Sequence, residues 1–377
     1  MTDDAGTVVT VDGRIDPGDL GVTLPHEHVF IDLTEAWFDQ PDSAVDRRIS
    51  REPVTLENLH RIRREPLNNR ANGRLDSVEE AIEELSRFRD RGGSTVVDVT
   101  PKYTGGDPER VRAVGRATGL QFVHGTAFYT VGAHPSHVAT ASVEDLAAEF
   151  ENDVRAGIGD TDVRAGIVGE LGASEQIHDH EERVLRAGAR AALRTGAPVN
   201  VHPPGRRPSA HQGYTYPTSR WMLDILDILD EEGLPADRVV ASHMDRTRFE
   251  LESDSLDYQR QLADRGAYLE YDLWGTDMYQ EKFHNGWPSD PERIDAVLAL
   301  VDDGYLENLL FSHDVCMKVQ RTRYGGFGYA HLLENVVPML EHHGLTRSEI
   351  DTVLRENPRR MLTFDEPSDL SEPATKT

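Results

Sequence analysis

Eight short runs rich in Val, Ile, Leu or aromatic residues recur along the chain, each separated from the next by enough sequence for a helix. They cover 21–28 (GVTLPHEH), 94–100 (STVVDVT), 120–129 (LQFVHGTAFY), 164–172, 197–204, 238–245, 267–275 and 308–315. The stretches between them carry readable helix ends. Ser77 with Glu80 makes a capping box ahead of Val78, Ala81, Ile82, Leu85 and Phe88, and Gly92-Gly93 stops that pattern. Asp107-Pro108 opens a helix that ends near Gly119, and helices over 181–195 and around 218–231 stop at Gly196 and Gly233. Pro291 opens another that ends at Gly304, and Thr346 with Glu349 caps the last. Strands and helices in alternation, with no break in composition, predict an α/β chain folded as one (β/α)8 TIM barrel. A doubly wound sheet is the competing architecture, but no glycine-rich phosphate loop follows the first strand.

The barrel domain is expected over 1–365, prefaced by a hairpin at about 7–20 that turns at Asp12-Gly13. The charge-rich segment 32–76 reads as a loop excursion rather than a domain, and the polar 366–377 as a disordered tail.

Composition narrows the partners. A formal net charge of −27 disfavours nucleic acid and anionic membranes, which need basic surface. Lys102, Lys282, Lys318 and Lys376 are the only lysines, and an acidic, lysine-poor chain suits a halophile's high-salt cytoplasm. The competing reading is an ordinary acidic enzyme. Cys316 is the sole cysteine, which excludes an internal disulfide and a thiolate zinc cluster. No basic-then-apolar leader opens the chain and no apolar run reaches membrane-spanning length, so a cytoplasmic location is expected.

In such a barrel the chemistry sits at the C-terminal ends of the strands. Those ends carry His26 and His28, Glu170, His202, His243 and Asp314. His26 and His28, two residues apart, share one face of a strand, with Glu27 turned outward. A lone pair of this kind is more often structural than metal-binding. Four histidines and two carboxylates drawn from five strands, however, form a donor set for two divalent cations with one carboxylate between them. Zinc is the first choice of metal, with Mn, Co or Ni as alternatives.

The order and local sequence of these ends resemble the phosphotriesterase family of the amidohydrolase superfamily. TLPHEH, VNVH, SHMD and SHDVC resemble its first, fifth, sixth and eighth strand motifs, and RAGIVGELG, GGFGY and ENPRRML extend the likeness from about Val8 to Phe364. The resemblance implies that His26, His28 and Asp314 hold the more buried ion, that His202 and His243 hold the other, and that a bridging group joins them. That group is often a carboxylated lysine on the fourth strand. Here its place is taken by Gly169, and the candidate bridge is Glu170, as in the glutamate-bearing branch of the family. A one-residue shift flips a regular strand's side chain to the other face, so a bulge or strand end at Gly169 is expected.

Further residues stand out, the first two through the same resemblance. Tyr129 matches a tyrosine that lies over the substrate, the alternative being a packed rim residue. Asp272 matches a family aspartate, but Leu273 replaces the arginine of the branch that hydrolyses quorum lactones. Trp274 reads equally as a pocket wall or as barrel packing. Lys318, Arg321 and Arg323 lie beyond the eighth strand and either meet an anionic substrate group or form a solvated loop. His124, His134, His137, His178, His180 and His284 lack matching ligand partners and read as structural or exposed. The implied activity is metal-dependent hydrolysis by a hydroxide between the ions, with Asp314 accepting its proton. A small-molecule lactone or other carboxylic ester is the first choice of substrate. An N-acyl amide is the alternative, and phosphotriesterase activity a promiscuous third. A metal-bearing barrel that only binds small molecules is the non-enzymatic reading, and a homodimer is the assembly the resemblance implies.

Overall fold

The computed structural model describes residues 4–368 apart from 35, 36, 39, 175, 205–220, 247–254, 277, 278 and 281–284. Among the described residues one eight-stranded sheet runs Val22–Glu27 (β1), Gly93–Asp98 (β2), Gln121–Thr126 (β3), Ile167–Gly172 (β4), Val199–His202 (β5), Val239–Ala241 (β6), Tyr268–Tyr271 (β7) and Leu309–Phe311 (β8). Every adjacent pair from β1 to β8 is parallel, in sequence order. The seam between β1 and β8 is closed differently. The Ser312 hydroxyl donates to the His26 carbonyl at 2.7 Å and accepts from the His26 amide at 3.1 Å, and the Asp314 amide donates to the same carbonyl at 3.2 Å. A side chain thus stands where a ladder would be, and the sheet becomes a TIM barrel.

The helices end as their sequences dictate. The Ser77 hydroxyl accepts the Glu80 amide at the start of Val78–Asp90, a cap worth about 1 kcal/mol. Gly119 and Gly196 end Pro108–Thr118 and Asp179–Thr195 in left-handed geometry, at φ 77° and 78°. These helices and a further one, Val143–Arg155, bury Leu85, Phe88, Val114, Phe150, Val184 and their neighbours against the outer face of the sheet. A second cluster joins Val97, Val123, Ile167, Val240, Tyr268 and Leu310 to Val8 and Ile15 of the N-terminal hairpin, in which Val8–Thr10 pairs antiparallel with Gly13–Ile15.

The excursion after β1 is closed at its base by Ile31–Asp32 pairing antiparallel with Arg74–Leu75, and it carries the helices Ala44–Ile49 and Leu59–Ile62. Its Ile31, Leu33, Ile62 and Leu75 share a third apolar cluster with Met317 and Val319 from beyond β8. Asn72 joins the two segments, its carbonyl accepting the Lys318 amide at 3.0 Å and its side chain the Val319 amide at 2.9 Å. Residues 369–377 of the expected tail, residues 218–220 of the expected helix and His284 lie outside the described residues. Among the described residues no helix is long and apolar enough to cross a membrane.

Candidate metal centre

The barrel brings all six expected donors together at the C-terminal ends of its strands. The Glu170 carboxylate is central, with Oε2 2.7 Å from His202 Nδ1 and 3.7 Å from both His26 Nε2 and His243 Nε2, and Oε1 4.0 Å from His28 Nε2. Asp314 Oδ1 lies 3.2 Å from His28 Nε2, and His243 Nε2 lies 2.8 Å from His202 Nδ1. Among the described residues three three-residue groups of donor atoms are tight enough to share one cation: His26, His28 and Asp314; His26, Glu170 and His243; and, on the Nδ1 side of the same ring, His26, Glu270 and Asp272. All are buried except Asp314, whose side chain is 15% exposed and opens the site to solvent.

The backbone explains how Glu170 reaches this position. The β4–β5 register shifts between Val168 and Leu171, so the alternation of faces is interrupted where the expectation required it. A Cβ at Gly169 would lie 2.6 Å from Asn200 Cβ, so this backbone has no room for a side chain at 169. Two donors also occupy left-handed backbone that residues other than glycine rarely adopt, His243 at φ 58° and Asp314 at φ 49°. Such conformations persist where surrounding structure over-determines them. Both are over-determined here: Asp272 Oδ2 accepts the His243 amide at 2.9 Å, and Glu27 organises the turn bearing Asp314.

Glu27 faces away from the metal side as expected, yet it is fully buried rather than solvated. Its Oε1 accepts from the Ser312 hydroxyl at 2.9 Å, the His313 amide at 2.9 Å and His313 Nδ1 at 2.8 Å, and its Oε2 from the Val315 amide at 2.9 Å. Glu270 was not singled out by sequence either. Its Oε2 lies 2.8 Å from His26 Nδ1 and accepts from Asn200 and Ser242 at 3.0 and 2.9 Å. In the same way Asp272 Oδ1 lies 2.8 Å from His243 Nδ1, and Thr100 Oγ1 lies 2.9 Å from His28 Nδ1. Each of these three rings spends Nδ1 on a fixed partner and turns Nε2 inward, which is how metal-binding histidines are oriented. The only signal for Glu270 in the sequence is a carboxylate inside an apolar run two residues before Asp272.

Electrostatics agree with a cation-seeking site. Burial opposes charging His26, but the Glu270 and Asp272 carboxylates prevail and hold it well above its ordinary range. His243 is raised to about 10, with burial again overcome by Asp272. His202 goes the other way, to about 4, because burial outweighs the attraction of Glu170. Glu170 stays ionised: burial disfavours its charge, but His202 and the other rings pull it well below the usual carboxylate range. The fit to divalent ions rests on more than charge. His26 Nε2 is buried and has no hydrogen-bond partner, a donor atom aimed into a pocket of imidazole and carboxylate.

The expected substrate contacts divide. Tyr129 stands at the site, its hydroxyl 3.2 and 3.3 Å from the two His202 ring nitrogens. Trp274 does not line a pocket; it is 1% exposed and packs edge-on against Phe311, ring centroids 5.2 Å apart. Arg321 is fully buried and donates to the Val29 carbonyl at 3.0 Å, steadying the chain just after His28. Arg323 pairs with Glu83 at 3.3 Å and Glu80 at 3.5 Å, and Lys318 lies 5.8 Å from the centre of the Tyr324 ring. The two arginines therefore bolt the segment after β8 to the Val78–Asp90 helix, their charge met by Glu80 and Glu83 of that helix. Cys316 is part-buried, and burial and Asp314 push its thiol well up, which disfavours the thiolate form. Of the histidines set aside, His124 is buried with Nδ1 2.8 Å from the Gly125 carbonyl, and His137 pairs with Glu149 at 3.1 Å. A cation missed by sequence, Arg246, lies three residues after His243 and donates to the Pro203 carbonyl at 3.3 Å.

A profile described as the Phosphotriesterase family matches residues 6–362. The chain belongs to the phosphotriesterase family. Among curated relatives of this phosphotriesterase-family protein, N-acetyltaurine hydrolase of Bos taurus is 36% identical over 367 residues, covering 97% of this chain and 100% of that one. A resiniferatoxin-binding protein from Rhodobacter sphaeroides superposes with a TM-score of 0.87 at 36% identity, covering 95% of each chain. The phosphotriesterase homology protein from Escherichia coli, complexed with phosphate in its active site, superposes with a TM-score of 0.72 at 30% identity, covering 92% of this chain and 100% of that one. The protein is a hydrolase of this family.

Proposed function

We propose that the protein hydrolyses the amide bond of small N-acyl amino acids or amino sulfonic acids, using two divalent ions, zinc first, held by His26, His28, Glu170, His202, His243 and Asp314. The likeness to N-acetyltaurine hydrolase along the whole chain carries the choice of amide over lactone. When bound, the ions supply a water of lowered pKa and polarise the scissile carbonyl. The chain's own groups do the rest. Asp314, the most open of the six donors, takes the proton from the attacking water and returns it to the departing nitrogen as the C–N bond breaks. Burial and Glu170 hold the Tyr129 phenol well above its ordinary pKa, so it remains a hydrogen-bond donor for the carbonyl oxygen. Arg246 places positive charge beside Pro203 and the His202 strand end, suited to the acid group of the leaving half.

The test is a panel of N-acetyltaurine, N-acetylglycine, small lactones and paraoxon, assayed with metal-reconstituted protein. The reading expects the acidic amides to lead in kcat/KM by at least roughly a hundredfold, about 2.7 kcal/mol of transition-state preference. Faster turnover of any lactone than of every amide returns the assignment to the lactonase alternative.

A further inference from the structure

The excursion after β1 reaches the metal centre through one side chain. Trp37 is hydrogen-bonded through its amide to the Leu33 carbonyl at 2.8 Å and packs beside Ile31, Leu33, Met317 and Val319. Its ring meets Tyr129 edge-on, centroids 5.7 Å apart at 61°. Tyr129 in turn meets His202, centroids 4.9 Å apart at 66°. Three rings from three separate segments therefore run from the excursion to a metal-site histidine. The platform under Trp37 is firm, because Asn72 ties the excursion to the segment after β8 and Ile31–Asp32 pairs with Arg74–Leu75. A tyrosine held between an indole and an imidazole cannot swing aside to admit bulk.

We infer that Trp37 is a specificity-determining residue that, by pinning Tyr129 over His202, restricts the acyl half of the substrate to short chains. The excursion is then a fixed wall of the site. An indole removed from a part-buried rim leaves room for several methylenes, each worth roughly a few-fold in binding when it is buried. The inference rests on the hydrolase reading of this site but is independent of which carbonyl is cleaved.

Two homologous series separate the two ideas: N-acetyl, N-butyryl and N-hexanoyl taurine, and γ-lactones of matching side-chain length. In the metal-loaded wild type, kcat/KM is expected to fall with acyl length. Trp37→Ala is expected to raise the hexanoyl-to-acetyl ratio at least about tenfold, chiefly through KM, while Trp37→Phe, which keeps a ring against Tyr129, stays within about threefold of wild type. Trp37→Leu carries the same comparison as Trp37→Ala with an apolar side chain retained in the cluster. A loss of folded protein lowers all rates together and leaves the ratio unmoved. An unchanged ratio in both Trp37→Ala and Trp37→Leu overturns the inference, in whichever series is turned over. Activity on lactones alone defeats the amide reading, and the chain-length result is then read from the lactone series.

Discussion

Asp272 holds His243 at two points, its Oδ1 2.8 Å from the ring Nδ1 and its Oδ2 accepting the backbone amide at 2.9 Å. One carboxylate thus sets both the orientation of the imidazole and the left-handed backbone that presents it. Asp272→Asn can replace at most one of these contacts at full strength. It is expected to weaken metal affinity by about 10–100-fold with the fold retained, measured by competitive chelator titration alongside circular dichroism. Wild-type affinity in that variant would show that His243 needs no external orientation.

Glu170 lies between the donors of both proposed ions. Glu170→Gln keeps the shape and removes the charge, and should lower turnover by roughly a hundredfold or more, with bound metal falling below the wild-type content. Metal content by elemental analysis separates lost metal from lost chemistry. With glycine at 169 and no room for a side chain there, bicarbonate added during reconstitution is expected to change nothing. Bicarbonate-dependent activity would point to a carbamate elsewhere.

Glu27 receives four hydrogen bonds across the seam, so its loss should be felt as stability before chemistry. Glu27→Ala strands buried donors at His313 and Val315, and is expected to cost about 3–5 kcal/mol. Chemical denaturation reads this directly. A cost under about 1 kcal/mol would mean that the turn bearing Asp314 is held by other contacts.

Asp290 offers a pH test away from the metal donors. Burial disfavours its charge, but His331 Nε2 at 2.6 Å and the Gly275 amide at 3.0 Å hold its pKa below the ordinary value. A depressed carboxylate stabilises the fold above its unfolded pKa, and that contribution is lost as pH falls through the folded one. The gap in melting temperature between wild type and Asp290→Asn should therefore be widest near neutral pH and narrow from about pH 5 downward. A gap that is constant with pH would count against the ionised form.

Salt tests the halophile expectation. With a net charge of −27, screening is expected to raise the melting temperature from low to molar KCl. A flat or falling curve would fit an ordinary acidic enzyme.

The parts of this fold that were legible in the sequence share a cause. A barrel strand needs apolar residues along its length, so the polar ends at His202, His243 and Asp314 stand out as serving something other than packing. The alternation rule also anticipated an irregularity at Gly169, because Glu170 is one place out of phase. What stayed hidden depends on partners distant in the chain. Glu27 meets residues 285–288 positions away and Glu270 meets one 244 positions away, and beyond the place of Glu270 in an apolar run nothing local points to these partners. Arg321 and Arg323 misled for the same reason. Near a site they look like anion binders, until Glu80 and Glu83 are folded against them.

The hydroxyl that fastens β8 to β1 gives the site an order of completion. During synthesis His26 emerges early and Asp314 last among the donors, and Ser312 arrives just ahead of it. Until then the His26 carbonyl has neither the hydroxyl nor the amide that later shares it. A nascent chain can gather imidazoles and Glu170, but Asp314, the proposed proton acceptor, and the barrel's last fastening come together, in a span of three residues. A chain cut before Ser312 lacks both at once.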